Sequence, residues 1–396
     1  MWVLAFLSSG RLIIWSGQGR GLIRLSLPAR ISAEHPFFYL EGNDNIVSIL
    51  SGRYSERPLV IKRAGAGADI TAAGIFAEIL SIVTTDTMGK KIMVKAPATV
   101  SNLNCGFDVL GLALQEPYDI IELEMTTTGN VEIAEITGCD TLSPDPGQNV
   151  VGAVLNEVIR MSGNSIGYRV VLRKGINPGS GIGSSGASSA AAAFAANELS
   201  GGRFSLTQLV RFAMEGERLA SGSAHADNVA PALFGGITLV RSYDPLDIVQ
   251  LNVPGELYCV VIHPGVEVKT SVARGLLDSQ LPLTTAVRQW GNVGGLVAGL
   301  YREDYELIGR SLEDLVAEPK RAGLIPCFSQ MKKSAMDGGA LGAGISGSGP
   351  SVFALCRGEE TAATVLQNMS EVMRSAKMEF DAYLSPVSIA GAQVCQ

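Results

Sequence analysis

The period of the apolar positions changes repeatedly along this chain, and each change marks an expected element. Lys91–Val100 reads as a strand and Phe107–Leu114 as an apolar segment. Ile120–Thr126 alternates apolar residues with Glu122 and Glu124, as a half-exposed strand does. Val150–Ser162 has helical spacing, Tyr168–Lys174 is strand-like, and Ile176–Gly183 is a Pro/Gly/Ser loop. An alanine-rich helix is expected over Ser184–Leu199. A second is expected over Leu206–Ala220, where Ser205 and Gln208 fit a capping box. Gly236–Arg241, Leu257–His263 and Ser351–Leu355 read as strands. Between the last two, helices are expected near Thr285–Tyr301, Tyr305–Leu315 and Cys327–Asp337. No internal repeat is visible, and the mixture implies an α+β or α/β protein.

The opening segment reads differently. Met1–Arg30 has no clear period. Asn45–Leu50 and Leu59–Lys62 are strand-like around a turn at Tyr54–Pro58, and Ala64–Asp69 is a glycine-alanine turn. Ile70–Val83 then carries Ile70, Ile75, Phe76, Ile79 and Leu80 at helical spacing.

Composition narrows the class. A chain of 396 residues suggests two or three domains. Apolar residues make up 46% and charged residues 17%, which excludes global disorder. Glycine is abundant, 46 residues, and clustered rather than periodic, so collagen is excluded and close backbone approach is indicated. The formal charge of −7 lacks the basic footprint of a nucleic-acid binder. Such a chain can bind an anion such as ATP only with local devices: backbone N–H groups, a helix N-terminus and a metal ion. The six cysteines form no CxxC, so a zinc site is not expected, and their scatter through a long chain fits reduced thiols in a cytosol rather than disulfides. No apolar run has the length of a membrane span. Met1–Trp15 is apolar enough to raise a secretory signal, but no Lys or Arg precedes the run and Arg11 interrupts it, so a cytoplasmic protein is expected.

Three small-residue motifs carry candidate chemistry. The sharpest is Asn177-Pro178-Gly179-Ser180-Gly181-Ile182-Gly183-Ser184-Ser185-Gly186-Ala187-Ser188, between a strand and a helix. Glycines let backbone N–H groups close around phosphate oxygens, and the helix beginning at Ser184 aims its unpaired N–H groups at the anion. It contains no Walker A pattern, and no GxGxxG stands directly after a strand with an acid about 20 residues on, so a dinucleotide fold is not supported. Its bland alternative is a flexible turn before an alanine-rich helix. The second motif, Ala96–Asp108, holds Asn102 and Asp108 around a turn, where they suit a small polar substrate or simply bond their own backbone. The third, Gly342–Pro350, either lines a ligand with backbone or is a tight loop before a strand.

Together and in this order, the motifs resemble the GHMP family of small-molecule kinases, and within it the homoserine kinases. The resemblance rests on Val94–Leu114, Pro178–Ser188, His225–Gly236, Lys269–Arg274 and Glu318–Arg321. It implies an α+β, two-domain GHMP kinase fold, with a ribosomal protein S5 domain 2-like half and a ferredoxin-like half. The divisions expected are 1–87, 88–256 and 257–396. It implies ATP-dependent phosphorylation of the hydroxyl of L-homoserine, in threonine biosynthesis, with Mg²⁺. Pro178–Ser188 would be the phosphate loop. Asn102 and Asp108 would bind substrate, with His225, Asp227, Thr270, Arg274 and Arg321 around its amino-acid end. Glu217 would hold Mg²⁺ with Ser184 or Ser185.

Chemistry supports these assignments separately. Phosphoryl transfer needs charge neutralisation and in-line positioning. Arginine forks suit a carboxylate, and Mg²⁺ takes one or two protein oxygens beside phosphate and water. Asn228 stands where mevalonate-type relatives place a catalytic aspartate; as an amide it accepts no proton, so the base is unassigned. The alternatives are another GHMP kinase of mevalonate type and an inactive binding protein on the same scaffold. No nucleic-acid or membrane partner is expected. Family members are often homodimers, although no interface signature stands out here. His263 and Cys105 read as structural residues. Finally, Ala33–Val83 resembles the carboxyl end of homoserine dehydrogenase without that enzyme's nucleotide-binding half, and Met88 would be a natural start for the kinase alone.

Overall fold

The computed structural model describes residues 2–7, 11–16, 23–25, 44–50, 59–64, 89–162 and 166–395. The chain forms two compact units, Met1–Asp86 and Thr87–Gln396. In the first, β1 (Trp2–Leu7), β2 (Arg11–Ser16), β3 (Ile23–Leu25), β4 (Asp44–Leu50) and β5 (Leu59–Ala64) form an antiparallel sheet in the order β3-β2-β1-β4-β5. The strands expected at Asn45–Leu50 and Leu59–Lys62 are β4 and β5. β1 to β3 fall where no period is visible, because runs such as Trp2–Leu7 are apolar throughout and carry no alternation. The helix expected over Ile70–Val83 lies outside the described residues.

The second unit is built on two sheets. β6 (Lys91–Ser101) and the 17-residue β7 (Leu110–Thr126) form the centre of the first. β8 (Val131–Thr137) precedes α1 (Val150–Ser162), and β9 (Gly167–Arg173) precedes α2 (Ser184–Leu199) and α3 (Leu206–Ser221). A short α4 (Val229–Phe234) leads into β10 (Ile237–Tyr243) and β11 (Leu246–Leu251). β7 pairs with β10 at its start and β9 at its end, while β6 runs antiparallel beside it. The two apolar segments expected around Pro117 are therefore one strand. It survives the proline because Pro117 sits where the partner changes, opposite a register shift in β6 between Pro97 and Thr99.

α2 is buried almost all round, which its Ala, Ser and Gly content makes sterically possible. It lies on β6 and β7, with α1, α3 and α4 against it. Ser205 and Gln208 form the expected capping box on α3.

The second sheet has the order β13-β14-β12-β15, all antiparallel. β12 (Leu257–Pro264) is followed by α5 (Thr270–Gly275), α6 (Leu283–Arg302), α7 (Tyr305–Ser311), α8 (Glu318–Arg321) and α9 (Phe328–Asp337). Then come β13 (Gly342–Ile345), β14 (Val352–Arg357), α10 (Glu359–Ser375) and β15 (Phe380–Pro386). β16 (Gln393–Val394) returns to the first sheet beside β6. α7 stops at Ser311 rather than Leu315 because the Asp314 carboxylate accepts the N–H groups of Val316, Ala317 and Glu318 and so begins α8. α10 goes unnoticed in the sequence reading, although Ala362, Val365, Met369 and Met373 form its buried stripe. Among the described residues no helix is long and apolar enough to cross a membrane, and all six cysteines are free thiols.

Candidate functional site

The phosphate loop occupies the gap between β9 and α2. Gly179, Gly181 and Gly183 have φ of 74°, 81° and 69°, the left-handed region that side chains disfavour. Gly183 is the N-cap of α2, which has no side-chain cap, so the first turn presents its N–H groups to the cleft. The residue has no room for a side chain: a Cβ there would overlap Thr99 Oγ1 and lie 2.9 Å from Asn228 Oδ1.

The loop's serines divide. Ser184 Oγ donates to Ile176 O at 2.9 Å and Ser188 Oγ to Asp119 Oδ2 at 2.7 Å, so both hydroxyls point into the protein. Ser185 instead lies beside Glu217, where its hydroxyl favours the charged carboxylate. Glu217, on α3, is buried; its Oε1 has no partner, and burial pushes its carboxyl above the usual range. An orphaned buried carboxylate oxygen beside a hydroxyl suits one face of a Mg²⁺ ion that takes its remaining ligands from phosphate and water. Among the described residues no three His, Cys, Asp or Glu side chains cluster as an all-protein metal cage would require.

The turn after β6 is wound tightly. Asn102, Leu103, Asn104 and Asp108 all have positive φ, from 43° to 72°. Asn102 stabilises the turn from both ends: its Oδ1 accepts from Asp108 N at 3.0 Å and its Nδ2 donates to Gly347 O at 3.0 Å. This delivers Asp108 to the guanidinium of Arg274, on α5, which forks its two oxygens at 2.8 and 3.1 Å. His225 Nδ1 lies 3.8 Å from the same carboxylate, and burial holds the imidazole below its ordinary pKa.

Arg321, on α8, is buried and donates to Ala273 O at 3.2 Å and Gly347 O at 3.0 Å. Both guanidiniums lie against Phe107, their central carbons 5.5 and 5.3 Å from the ring centre. Tyr243 Oη donates to Asp108 O at 2.7 Å and accepts from Ala226 N. Thr270 reaches Ser348 at 3.1 Å.

Asn228 is held by its whole amide: Oδ1 accepts from Thr99 Oγ1 at 2.8 Å and Nδ2 donates to Ser101 Oγ at 3.2 Å. Asp227 beside it is buried, and its carboxyl is pushed up to about 7, first by burial, then by the charges of Asp108 and Glu217. A raised carboxylate pKa stabilises the folded state only while the proton is on. That stability is full below the unfolded pKa of 3.8 and is lost as pH rises towards 7. Asp227→Asn should therefore flatten the stability profile between those limits and raise stability at pH 8, by up to roughly 4 kcal/mol. Urea unfolding at pH 4 and pH 8 measures it.

The third motif closes the cleft from the second sheet. Ser346 Oγ donates to Gly181 O at 2.7 Å and Ser351 Oγ to Ser180 O at 2.6 Å, so this loop braces the phosphate loop as well as lining the space. The cleft encloses about 560 Å³. It is lined by Asn102, Asp108, Asp227, Asn228, His225, Thr270, Arg274, Arg321, Glu217 and most of the phosphate loop. All the expected side chains outside the phosphate loop thus line one cleft, together with Pro178, Ser184, Ser185 and Ser188 of the loop, although the Ser184 and Ser188 hydroxyls turn inward; Ser180, Ile182 and Ala187 do not line it.

Residues that sequence reading missed are Phe107, Tyr243, Thr99, Asp119 and Lys174. Only Phe107 carries a signal, as the aromatic residue between Gly106 and Asp108. Cys105 is buried with its thiol pushed up to about 12, which fits packing. His263 sits on β12 opposite Asp381 of β15, away from the cleft.

Comparison with known proteins adds the family. The GHMP kinases N terminal domain model matches residues 149–236, the GHMP kinases C terminal model residues 296–375, and the homoserine dehydrogenase model residues 19–80. The homoserine kinase of Chloroherpeton thalassium is 47% identical over 320 residues, 77% of this chain and 99% of the relative. That of Methanococcus maripaludis strain C5 is 40% identical over 271 residues, 68% of this chain and 89% of the relative. The crystal structure of homoserine kinase from Cytophaga hutchinsonii superposes with a TM-score of 0.75 at 49% identity, covering 78% of this chain and 98% of that one. A mevalonate kinase of L. major shares the fold at 17% identity, TM-score 0.58. The chain belongs to the homoserine kinases of the GHMP kinase family.

Proposed function

We propose that this protein transfers the γ-phosphoryl group of ATP to the side-chain hydroxyl of L-homoserine. The observation that carries the reading, beside the family, is the Asp108–Arg274 fork on the cleft that the phosphate loop also lines. A zwitterionic amino acid offers an ammonium for Asp108 and a carboxylate for Arg274. It can therefore replace one internal ion pair with two external ones, with no charge left unpaired. Arg321 and His225 add further donors on the same cleft, and mevalonate has no ammonium to offer.

The roles of the chain's own groups follow. Gly179–Gly183 and the first turn of α2 hold the phosphates with backbone N–H groups. Glu217 and Ser185 would hold Mg²⁺, which neutralises phosphate charge when bound. Asn228, tied to Thr99 and Ser101, fixes the wall between the two substrates and takes no proton. The hydroxyl proton leaves late, to a phosphate oxygen or water, which is compatible with a loose transition state. Asn102 acts through Asp108, whose backbone it holds. All these residues lie between Thr99 and Gly349, so the reading places no demand on residues 1–87.

Coupled ADP release with L-homoserine, mevalonate and galactose tests the proposal. Turnover is expected with homoserine only; ATP binding without turnover of any of the three would favour an inactive scaffold. Asp108→Asn should raise the KM for homoserine roughly 10- to 100-fold, the worth of one charge-assisted hydrogen bond, with little change in kcat. A fall in kcat at unchanged homoserine affinity would instead make Asp108 a base.

A further inference from the structure

We propose that the buried Asp119–Lys174 pair is a positioning device for the phosphate loop, tying the loop's entry to its exit from beneath. This rests on the reading of Pro178–Ser188 as the ATP phosphate loop. The side chains of Lys174 and Asp119 are 2% and 0% exposed. An ammonium has three donors, and all three are in use: to Asp119 Oδ2, to Ser188 Oγ at 2.9 Å and to Ser184 O at 3.1 Å. Lys174 therefore has no proton left for a phosphate, although it lies directly below the loop.

The carboxylate is filled just as completely. Asp119 Oδ1 accepts from Gly175 N at 3.0 Å and Ile176 N at 3.1 Å, and Oδ2 accepts from Lys174 and Ser188. Gly175 and Ile176 are where the chain leaves β9; Ser184 and Ser188 are where it enters α2. One ion pair thus binds both ends of the loop, and the Ser184 Oγ to Ile176 O bond closes the ring. Every charged and hydroxyl group of this network has its partners, which is the condition under which a buried pair specifies one conformation. With Ser346 and Ser351 bracing the opposite side, the loop is shaped before ATP arrives, and binding need not order it.

The test uses the full chain with ATP and ADP as probes, measuring nucleotide Kd by calorimetry, both KM values, kcat and Tm. Ser188→Ala leaves both charges and should weaken ATP binding about three- to tenfold. Lys174→Met and Asp119→Asn should weaken it by about 30-fold or more and lose Tm, because each strands a buried partner. The KM for homoserine should stay within about twofold and kcat at saturating ATP within about threefold, which a general loss of structure would not spare.

In the double variant Asp119→Asn/Lys174→Met, Tm should recover while ATP affinity does not, separating positioning from stability. Wild-type ATP affinity in Ser188→Ala or in the double variant would overturn the proposal. So would a loss of kcat at unchanged ATP affinity, which would move Lys174 to the reacting phosphate. Failure of the wild-type protein to bind ATP would instead sink the loop reading itself.

Discussion

Glu217→Gln should lower kcat by roughly 10²–10³-fold, the scale seen when one preorganised charge-stabilising group is removed. At the same time it should leave the metal-free protein as stable as wild type or more so. The two effects have one cause. Glu217 is buried with Oε1 unpartnered, and only the Ser185 hydroxyl favours its charged form. A carboxylate kept dry without a cation costs folding free energy, and glutamine removes that cost at nearly the same volume. Because burial raises this carboxyl pKa, the folded state is favoured by its proton and loses that advantage as pH rises, so the gain in the variant should be larger at pH 8 than at pH 5.

Two measurements check it. Thermal unfolding without metal should place the variant at or above wild type. Addition of MgATP should stabilise wild type much more than the variant. A variant that is less stable without metal yet keeps full activity would remove Glu217 from the metal site and make it a structural residue.

The parts of this site legible in the sequence are those built from consecutive residues. The glycines of Gly179–Gly183 and the small residues after Ser184 announce a loop opening a buried helix, and α2 begins at Ser184 as the pattern indicates. What the sequence does not show is what holds that loop. Asp119 comes 55 residues before Lys174, and the two meet only because β7 and β9 pair with Ile120 opposite Arg173. Thr99 and Asn228 are 129 residues apart, and Ser346 and Gly181 are 165 apart. Such partners depend on strand register, and a single sequence leaves register open.

Residue type was a better guide than residue partner. The arginine forks at Arg274 and Arg321 are in the cleft, but Arg274 closes on Asp108 and Arg321 on backbone carbonyls, which no spacing indicates. Ser184 and Ser188 have the right type for phosphate or metal and turn their hydroxyls inward, since the burial of α2 leaves Ile176 O and Asp119 needing donors.

Gly183→Ala should abolish most activity, and a matched substitution can show why. An alanine at φ 69° carries the left-handed penalty of about 1–2 kcal/mol. Its methyl would also overlap Thr99 Oγ1, whose hydroxyl donates to Asn228 Oδ1. Relieving that overlap means moving α2's first turn or breaking the Thr99–Asn228 bond, adding about 1–3 kcal/mol. Either response shifts the phosphate-binding N–H groups relative to the bound substrate, and a displacement near 1 Å costs roughly 10²-fold in rate.

Gly202 offers the control: its φ is also 69°, and an added Cβ there meets nothing within 4 Å. Gly202→Ala should therefore show the backbone penalty alone, with activity unchanged per folded molecule. Comparing the two by urea unfolding and by kcat/KM for ATP isolates the overlap. Equal activity in both variants would mean that the loop tolerates a side chain at its cap, and that the close approach of Thr99 and Asn228 to the phosphate loop is not needed for turnover.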